Sequence, residues 1–179
     1  METQNHFPQI QILTSEDAEK LSALCLKIYP QFFPYLWHDD GVWYQQRTYN
    51  PIQLKKEIEN IGTQFYFVKD ENDPVGYLKI NTNTFLKDYP SQNGLEVERI
   101  YLLQQTQGKG LGKLLMNFAI QQAQLLQKDH LFLYVMDSST NSMNFYKSMG
   151  FKIFGRKYLD FPLMKEEFRG MYSMVRHCA

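Results

Sequence analysis

Apolar and polar residues in the second half of the chain repeat with two spacings, which predict alternating strands and helices. Runs of apolar or alternating residues indicate strands over Leu95–Leu103, Leu131–Met136, Phe151–Lys157 and Phe168–Cys178. A helical period indicates one long amphipathic helix through Leu114–Leu126 and a short one over Asn141–Met149. The last two strands are expected to form a closing hairpin.

The first half predicts a similar alternation, interrupted by one segment that resists assignment. Alternation and helix-start signals indicate, in chain order, a strand over Gln9–Leu13, a helix over Ala18–Ile28, a helix from Asn50-Pro51 to Gly62, and strands over Gln64–Lys69 and Val75–Asn81. The turn Asp70–Pro74 joins the last two strands as a hairpin. The aromatic segment Tyr29–Tyr49 carries prolines and no clear period.

Composition limits the classes of partner. The chain has 179 residues, which fits one α/β domain over 1–179, and it carries 19 basic and 19 acidic side chains. With equal numbers of both charges, the chain has no overall positive electrostatic field that would attract nucleic acid. No apolar run approaches the roughly twenty residues that span a bilayer, and Met1–His6 lacks a signal pattern, so a cytoplasmic protein is expected.

Cysteine and histidine placement predicts no metal site. Cys25 and Cys178 are too few and too isolated for a disulfide framework, so both are expected to be free thiols. The four histidines, His6, His38, His130 and His177, show none of the helical clustering that metal sites use.

A glycine-rich stretch, Gln107–Gly112, lies between the strand ending at Leu103 and the long helix. Its three glycines let the backbone approach a bulky anion, and the helix that begins there points unpaired N–H groups at the same place. Lys109 and Lys113 add positive charge. The stretch therefore reads as a cradle for a pyrophosphate, formed by Gly108, Gly110, Leu111 and Gly112 with the two lysines.

Two other phosphate-binding loops are excluded by the residues present. A nucleotide P-loop ends in Gly-Lys-Ser/Thr, but Leu114 follows Gly112-Lys113, so the magnesium-binding hydroxyl is missing. A dinucleotide fingerprint requires a different spacing of its third glycine, since here single residues separate all three.

The remaining pattern, Gln/Arg-x-x-Gly-x-Gly/Ala, resembles the GCN5-related N-acetyltransferase (GNAT) superfamily at Gln107, Gly110 and Gly112. A second signature of that family, Asn-x4-Tyr-x3-Gly-Phe, is matched from Asn141 to Phe151. The resemblance implies a single-domain, mixed and mostly antiparallel sheet with splayed central strands and flanking helices. It also implies acetyl-CoA as cosubstrate and transfer of its acetyl group to a primary amine.

The resemblance assigns roles to further residues. Backbone groups near Ile100 and Leu102 would bind the thioester arm of acetyl-CoA, and Asn141 matches a cofactor-contacting asparagine. Tyr146 matches a tyrosine that gives a proton to the leaving thiolate. Acetylation also needs a base, because an alkylamine with a pKa of about 10.4 is protonated at neutral pH. Glu96 and Glu98 are the two candidates, and regular alternation would place both on one face with Ile100 and Leu102. The resemblance also implies that a bulge often interrupts this strand and changes which side chain faces the cleft, so the choice stays open, with Glu98 preferred.

The acceptor is left open by the sequence. Leu95–Leu102 and the aromatic, acidic segment Tyr35–Asp40 look similar to bacterial polyamine-acetylating members, and Asp39, Asp40 and Glu96 could attract a cationic amine. The alternatives are acetylation of a protein N-terminus or lysine, which needs an open groove, and a noncatalytic acyl-CoA-binding module. A small substrate is favoured if Tyr29–Tyr49 folds over the cleft. A homodimer is a further expectation.

Overall fold

The computed structural model describes residues 8–178, so the interpretation of Met1–His6 and the position of His6 lie outside it. Seven strands form one sheet in the order β1-β2-β3-β4-β5-β7-β6. The strands are β1 Gln9–Ile12, β2 Thr63–Asp70, β3 Asp73–Thr84, β4 Gly94–Leu102, β5 His130–Met136, β6 Lys152–Tyr158 and β7 Gly170–His177. Every neighbouring pair is antiparallel except β4 and β5, so the mixed, mostly antiparallel sheet is confirmed.

Five α-helices accompany the sheet in the described part of the chain: α1 Ala18–Ile28, α2 Val42–Thr48, α3 Pro51–Glu59, α4 Leu111–Leu125 and α5 Thr140–Ser148. The helix predicted from Asn50-Pro51 is present, and the Asn50 side chain accepts from the Gln53 amide, as an N-cap does. It ends at Glu59 rather than Gly62. Helix α2 was not predicted, since it lies inside the aromatic segment where no apolar period is visible.

The two faces of the sheet bury different residues. Residues directly opposite in an antiparallel pair share a face. Leu78 opposite Ile100 lies on the α4 side, where Tyr66 meets Phe118 of α4. Lys79 opposite Arg99 lies on the α3 side, where both contact Glu57. The core is therefore apolar toward α4 but contains buried charge toward α3.

The central strands part along their length. Strands β4 and β5 are paired only from Gly94 to Glu96, against His130–Phe132, while β4 continues to Leu102 and β5 to Met136. The splayed strands expected from the family resemblance are thus confirmed, and a gap opens between their far ends.

Both cysteines are free, as predicted: Cys25 is buried in α1 and Cys178 is half-buried after β7. No helix among the described residues is long and apolar enough to cross a bilayer. Within residues 8–178, no group of three His, Cys, Asp or Glu side chains is arranged as for a metal ion.

Candidate active site

The glycine-rich stretch forms an open turn at the start of α4. Gly108 and Gly110 have φ of +79° and +78°, a left-handed conformation that favours glycine. A Cβ built on either glycine would meet no other atom within 4 Å, so space lies in front of both. Gly110 immediately precedes α4, whose first amides have no helical carbonyl to bind. This geometry suits a phosphate-bearing ligand.

The residues around this turn differ in the groups that they can present to an anionic ligand. Leu111 is buried, so only its backbone is available, and Gln107 and Lys113 are exposed. Lys109 is also exposed, and its ammonium lies 3.2 Å from the Asp70 carboxylate. That ion pair reduces the charge Lys109 can direct at an anion, which leaves the backbone amides as the main donors.

The gap between β4 and β5 lies next to this turn. A Cβ on Gly112 would come 3.8 Å from Leu102 of β4 and 3.7 Å from Phe145 of α5. Ile100 and Leu102 are half-buried on β4, beyond the last residue paired with β5. The backbone edge of β4 is therefore free along the gap, where an extended arm could add to it.

A β-bulge in β4 decides which side chains face which side. Lys79 of β3 is opposite Arg99, but the next residue, Ile80, is opposite Val97, so Glu98 has no partner. The expectation that Glu96 and Glu98 share a face with Ile100 and Leu102 was wrong. The bulge places both glutamates toward α3 and leaves Ile100 and Leu102 toward α4.

Glu98 is held by two cations and an amide. Its carboxylate lies 2.6 Å from the Lys79 ammonium and 3.1 Å from the Arg99 guanidinium, and it accepts from the Asn81 amide at 2.7 Å. Lys79 and Arg99 are buried and both also contact Glu57, at 2.9 Å each. Burial alone would raise the pKa of Glu57, but Arg99 and Lys79 outweigh it and lower that pKa overall. The network contains two positive and two negative charges.

Glu96 lies beside this network and differs from Glu98 in its surroundings. The same Asn81 amide donates to it at 2.9 Å, and no cation in the described part of the chain lies within ion-pair distance. Burial, followed by the nearby charge of Glu98, raises the pKa of Glu96. Asn81 therefore links a carboxylate paired with two cations to one whose pKa burial raises.

A cavity of about 140 Å³ lies beside the gap, and Glu98 is on its wall. Eight of the other wall residues are aromatic: Tyr29, Phe33, Trp37, Tyr44, Tyr101, Tyr134, Tyr146 and Phe161. The segment Tyr29–Tyr49 does fold over the cleft. The sequence pattern shows the aromatic residues of this segment but does not assign them to the site. It also gives no indication that Phe161, Lys79, Asn81 and Arg99 belong to the site.

Helix α5 brings Tyr146 into this wall. Tyr146 is half-buried, and burial raises the pKa of its phenol well above the usual value. Asn141 is exposed as the second residue of α5, and Ser139 precedes the helix instead, so Asn141 is not its N-cap. Its amide is thus free for another partner.

Comparison with known proteins decides the family. The family model described as "Acetyltransferase (GNAT) family" matches residues 23–151, which include the glycine-rich turn, both glutamates and Tyr146. The chain belongs to the acetyltransferase (GNAT) family. An uncharacterized N-acetyltransferase of Lactobacillus delbrueckii is 38% identical over 112 residues, or 63% of this chain and 65% of the relative. The chain therefore spans less than two thirds of that relative's length.

Solved structures of GNAT proteins share the fold. The PaiA N-acetyltransferase of Thermoplasma acidophilum, crystallised with coenzyme A, has a TM-score of 0.74 at 19% identity, covering 96% of this chain and 99% of its own. A spermidine/spermine N-acetyltransferase, SpeG of Vibrio cholerae, has a TM-score of 0.69 at 17% identity, covering 96% and 94%. At these identities the likeness establishes the fold and leaves the acceptor open.

The GNAT structure brings together only part of the predicted site. Glu98, Ile100 and Tyr146 line one cavity, and the turn Gly108–Gly112 adjoins it through Leu102 and Phe145. Asp39 does not line the cavity, because its carboxylate accepts from the Gly41 and Trp43 amides at the start of α2. Asp40 is exposed and also absent from the wall.

Proposed function

We propose that this GNAT protein transfers an acetyl group from acetyl-CoA to the primary amine of a small molecule. The observation that carries the proposal is the position of Glu98 and Tyr146 on one aromatic cavity, next to an open glycine turn and a parted strand pair. The backbone of Gly108–Gly112 would hold the diphosphate, and the free edge of β4 at Ile100 and Leu102 would hold the arm that leads to the thioester. Gln107, Lys113 and Asn141 are exposed beside that path.

Acetyl-CoA supplies an activated acetyl group as a thioester. The amine nitrogen forms a bond to the acetyl carbon, the carbon–sulfur bond breaks, and coenzyme A leaves. One proton must leave the ammonium before attack, and Glu98, the carboxylate on the cavity wall, takes it directly or through water. Glu96 is the alternative acceptor, reached directly or through water. Tyr146 gives a proton to the departing sulfur. A second proton leaves the nitrogen once its bond to the acetyl carbon has formed, and this proton replaces the one that Tyr146 has given up.

Two rival functions make different demands. A protein acetyltransferase needs an open groove for its acceptor, whereas Tyr29–Tyr49 and residues 159–165 cover this cavity. A noncatalytic acyl-CoA-binding module has no need of a carboxylate and a phenol on one wall.

The test is a panel of small primary amines and lysine-containing peptides, each incubated with acetyl-CoA and followed by thiol release. The proposal expects release with at least one small amine and none with the peptides. Release with peptides alone would establish the protein acetyltransferase instead. Acetyl-CoA binding with no release from any acceptor would establish the binding module.

A further inference from the structure

We propose that the acceptor is a primary amine carrying one apolar group about the size of a benzene ring, which binds in the cavity against the edges of Tyr29, Trp37, Tyr44 and Phe161. This inference rests on the proposed function and narrows its substrate class. It departs from the polyamine interpretation suggested by the acidic residues of the segment Tyr35–Asp40.

The size of the cavity limits the acceptor. The cavity volume is about 140 Å³. An apolar protein cavity of about 150 Å³ is sufficient to bind one benzene molecule. A six-membered ring is therefore the largest apolar group that the space takes, and the amine and the thioester must lie where the cavity meets the gap between β4 and β5. A long chain with several amines would have to extend out of the cavity.

The charge on the cavity wall also limits the acceptor. Glu98 is the sole acidic side chain on the cavity wall among the described residues, and Lys79 and Arg99 already balance it. A diamine short enough to stay inside the cavity would bring a second ammonium into the same apolar space. Burying a charge without a partner is costly, so that second ammonium would oppose binding.

Three of the aromatic rings in the wall already stack on one another. Tyr44 stacks on Tyr29 and on Trp37, each with ring centroids 5.1 Å apart, and the Trp37 indole N–H donates to the Tyr29 hydroxyl at 2.8 Å. Ring faces that stack on one another are not available to hold a cation by a cation–π contact. The part of the wall formed by Tyr29, Trp37 and Tyr44 is better suited to an uncharged ring, which can pack edge to face.

Backbone hydrogen bonds hold the cavity wall in place. The loop that carries Phe161 is tied to the aromatic segment by two backbone hydrogen bonds of 2.9 Å, from His38 to Leu163 and from Lys165 to Leu36. Trp37 and Met164 also form an isolated β-bridge. Both bonds join backbone atoms, so the cavity keeps its shape when side chains of the wall are changed.

The direct test compares phenethylamine with cadaverine, which has a second ammonium in place of the ring. Thiol release with acetyl-CoA should give a kcat/KM at least about tenfold higher for phenethylamine, because transfer of a ring from water to an apolar site stabilises its complex. Equal or better use of cadaverine, or no use of phenethylamine while another amine reacts, would overturn the inference and leave the proposed function standing. No release from any amine would instead contradict the proposed function.

A matched pair of variants locates the ring. Phe161→Ala should raise KM for phenethylamine about tenfold, since it removes one wall of the site, and should leave the acetyl-CoA dissociation constant unchanged. Phe154→Ala removes the same ring from β6, where Phe154 packs on Tyr89 away from the cavity, and should change neither value. Melting temperatures confirm that both variants fold. An unchanged KM in folded Phe161→Ala would place the acceptor elsewhere.

Discussion

Tyr146 combines a position on the cavity wall with a phenol that holds its proton. Burial raises its pKa, so the group remains protonated throughout the neutral and mildly alkaline range. A proton is therefore available for the leaving sulfur at any working pH, and no loss of activity with rising pH up to about 10 should come from this residue.

We expect Tyr146→Phe to lower kcat about 100-fold and to leave acetyl-CoA affinity nearly unchanged, because the ring that packs on Phe151 is kept and only the proton is lost. Steady-state kinetics with calorimetry separates the two effects. An unaltered kcat would remove Tyr146 as the acid.

Conservative substitutions can also show which of Glu96 and Glu98 is the base. Glu98→Gln should lower kcat/KM about 100-fold, while Glu96→Gln should lower it less, since Glu98 alone of the two is on the cavity wall. Lys79 and Arg99 keep Glu57 as partner in the Glu98 variant, and its melting temperature checks that it folds. A larger loss in Glu96→Gln would make Glu96, whose pKa burial raises, the base.

At the scale of elements, the start of α4 depends on a backbone that only glycine adopts readily. Gly110 has φ of +78° and faces open space, so a side chain there would fill the region proposed for the diphosphate. Gly150 has a similar φ of +86° but follows α5, next to Arg176. The two positions impose comparable backbone strain at different places.

Gly110→Leu should reduce acetyl-CoA affinity at least about tenfold in calorimetry, because the side chain would block the amides and strain the turn. Gly150→Leu carries the same kind of strain and should keep the affinity. Equal losses in both variants would show that general destabilisation, and not a blocked cradle, is responsible.

The elements also show where sequence patterns suffice. Leu131–Met136 and the helix through Leu126 were predicted because a long apolar period marks them. The bulge at Glu98 could not be predicted from alternation, since an inserted residue leaves no trace in the pattern of Leu95–Leu103 and depends on pairing with β3. Helix α2 was missed because aromatic residues face the cavity on one side and the core on the other.

At the scale of the whole molecule, a buried histidine couples stability to pH. His130 begins β5, is fully buried, and neither ring nitrogen has a hydrogen-bond partner among residues 8–178. Burial lowers its pKa from the usual 6.5. The folded ring thus stays neutral below pH about 6.5 while the unfolded chain takes up a proton.

The sign follows from that difference: the unfolded state binds more protons in this range, so the free energy of unfolding falls as pH drops through about 6.5. Denaturation midpoints measured from pH 7 to pH 5 should therefore fall less in His130→Leu than in the parent chain. His38→Leu, at an exposed position, is the control and should follow the parent. Parallel curves for the parent and His130→Leu would contradict the assignment.

The whole account depends on where coenzyme A binds, and a crystal structure of the protein grown with coenzyme A tests this most directly. The predicted result is a diphosphate within about 3 Å of the backbone amides of Gly108–Gly112, with the pantetheine arm along the free edge of β4. A diphosphate bound at another surface, or an arm that avoids the gap between β4 and β5, would contradict it.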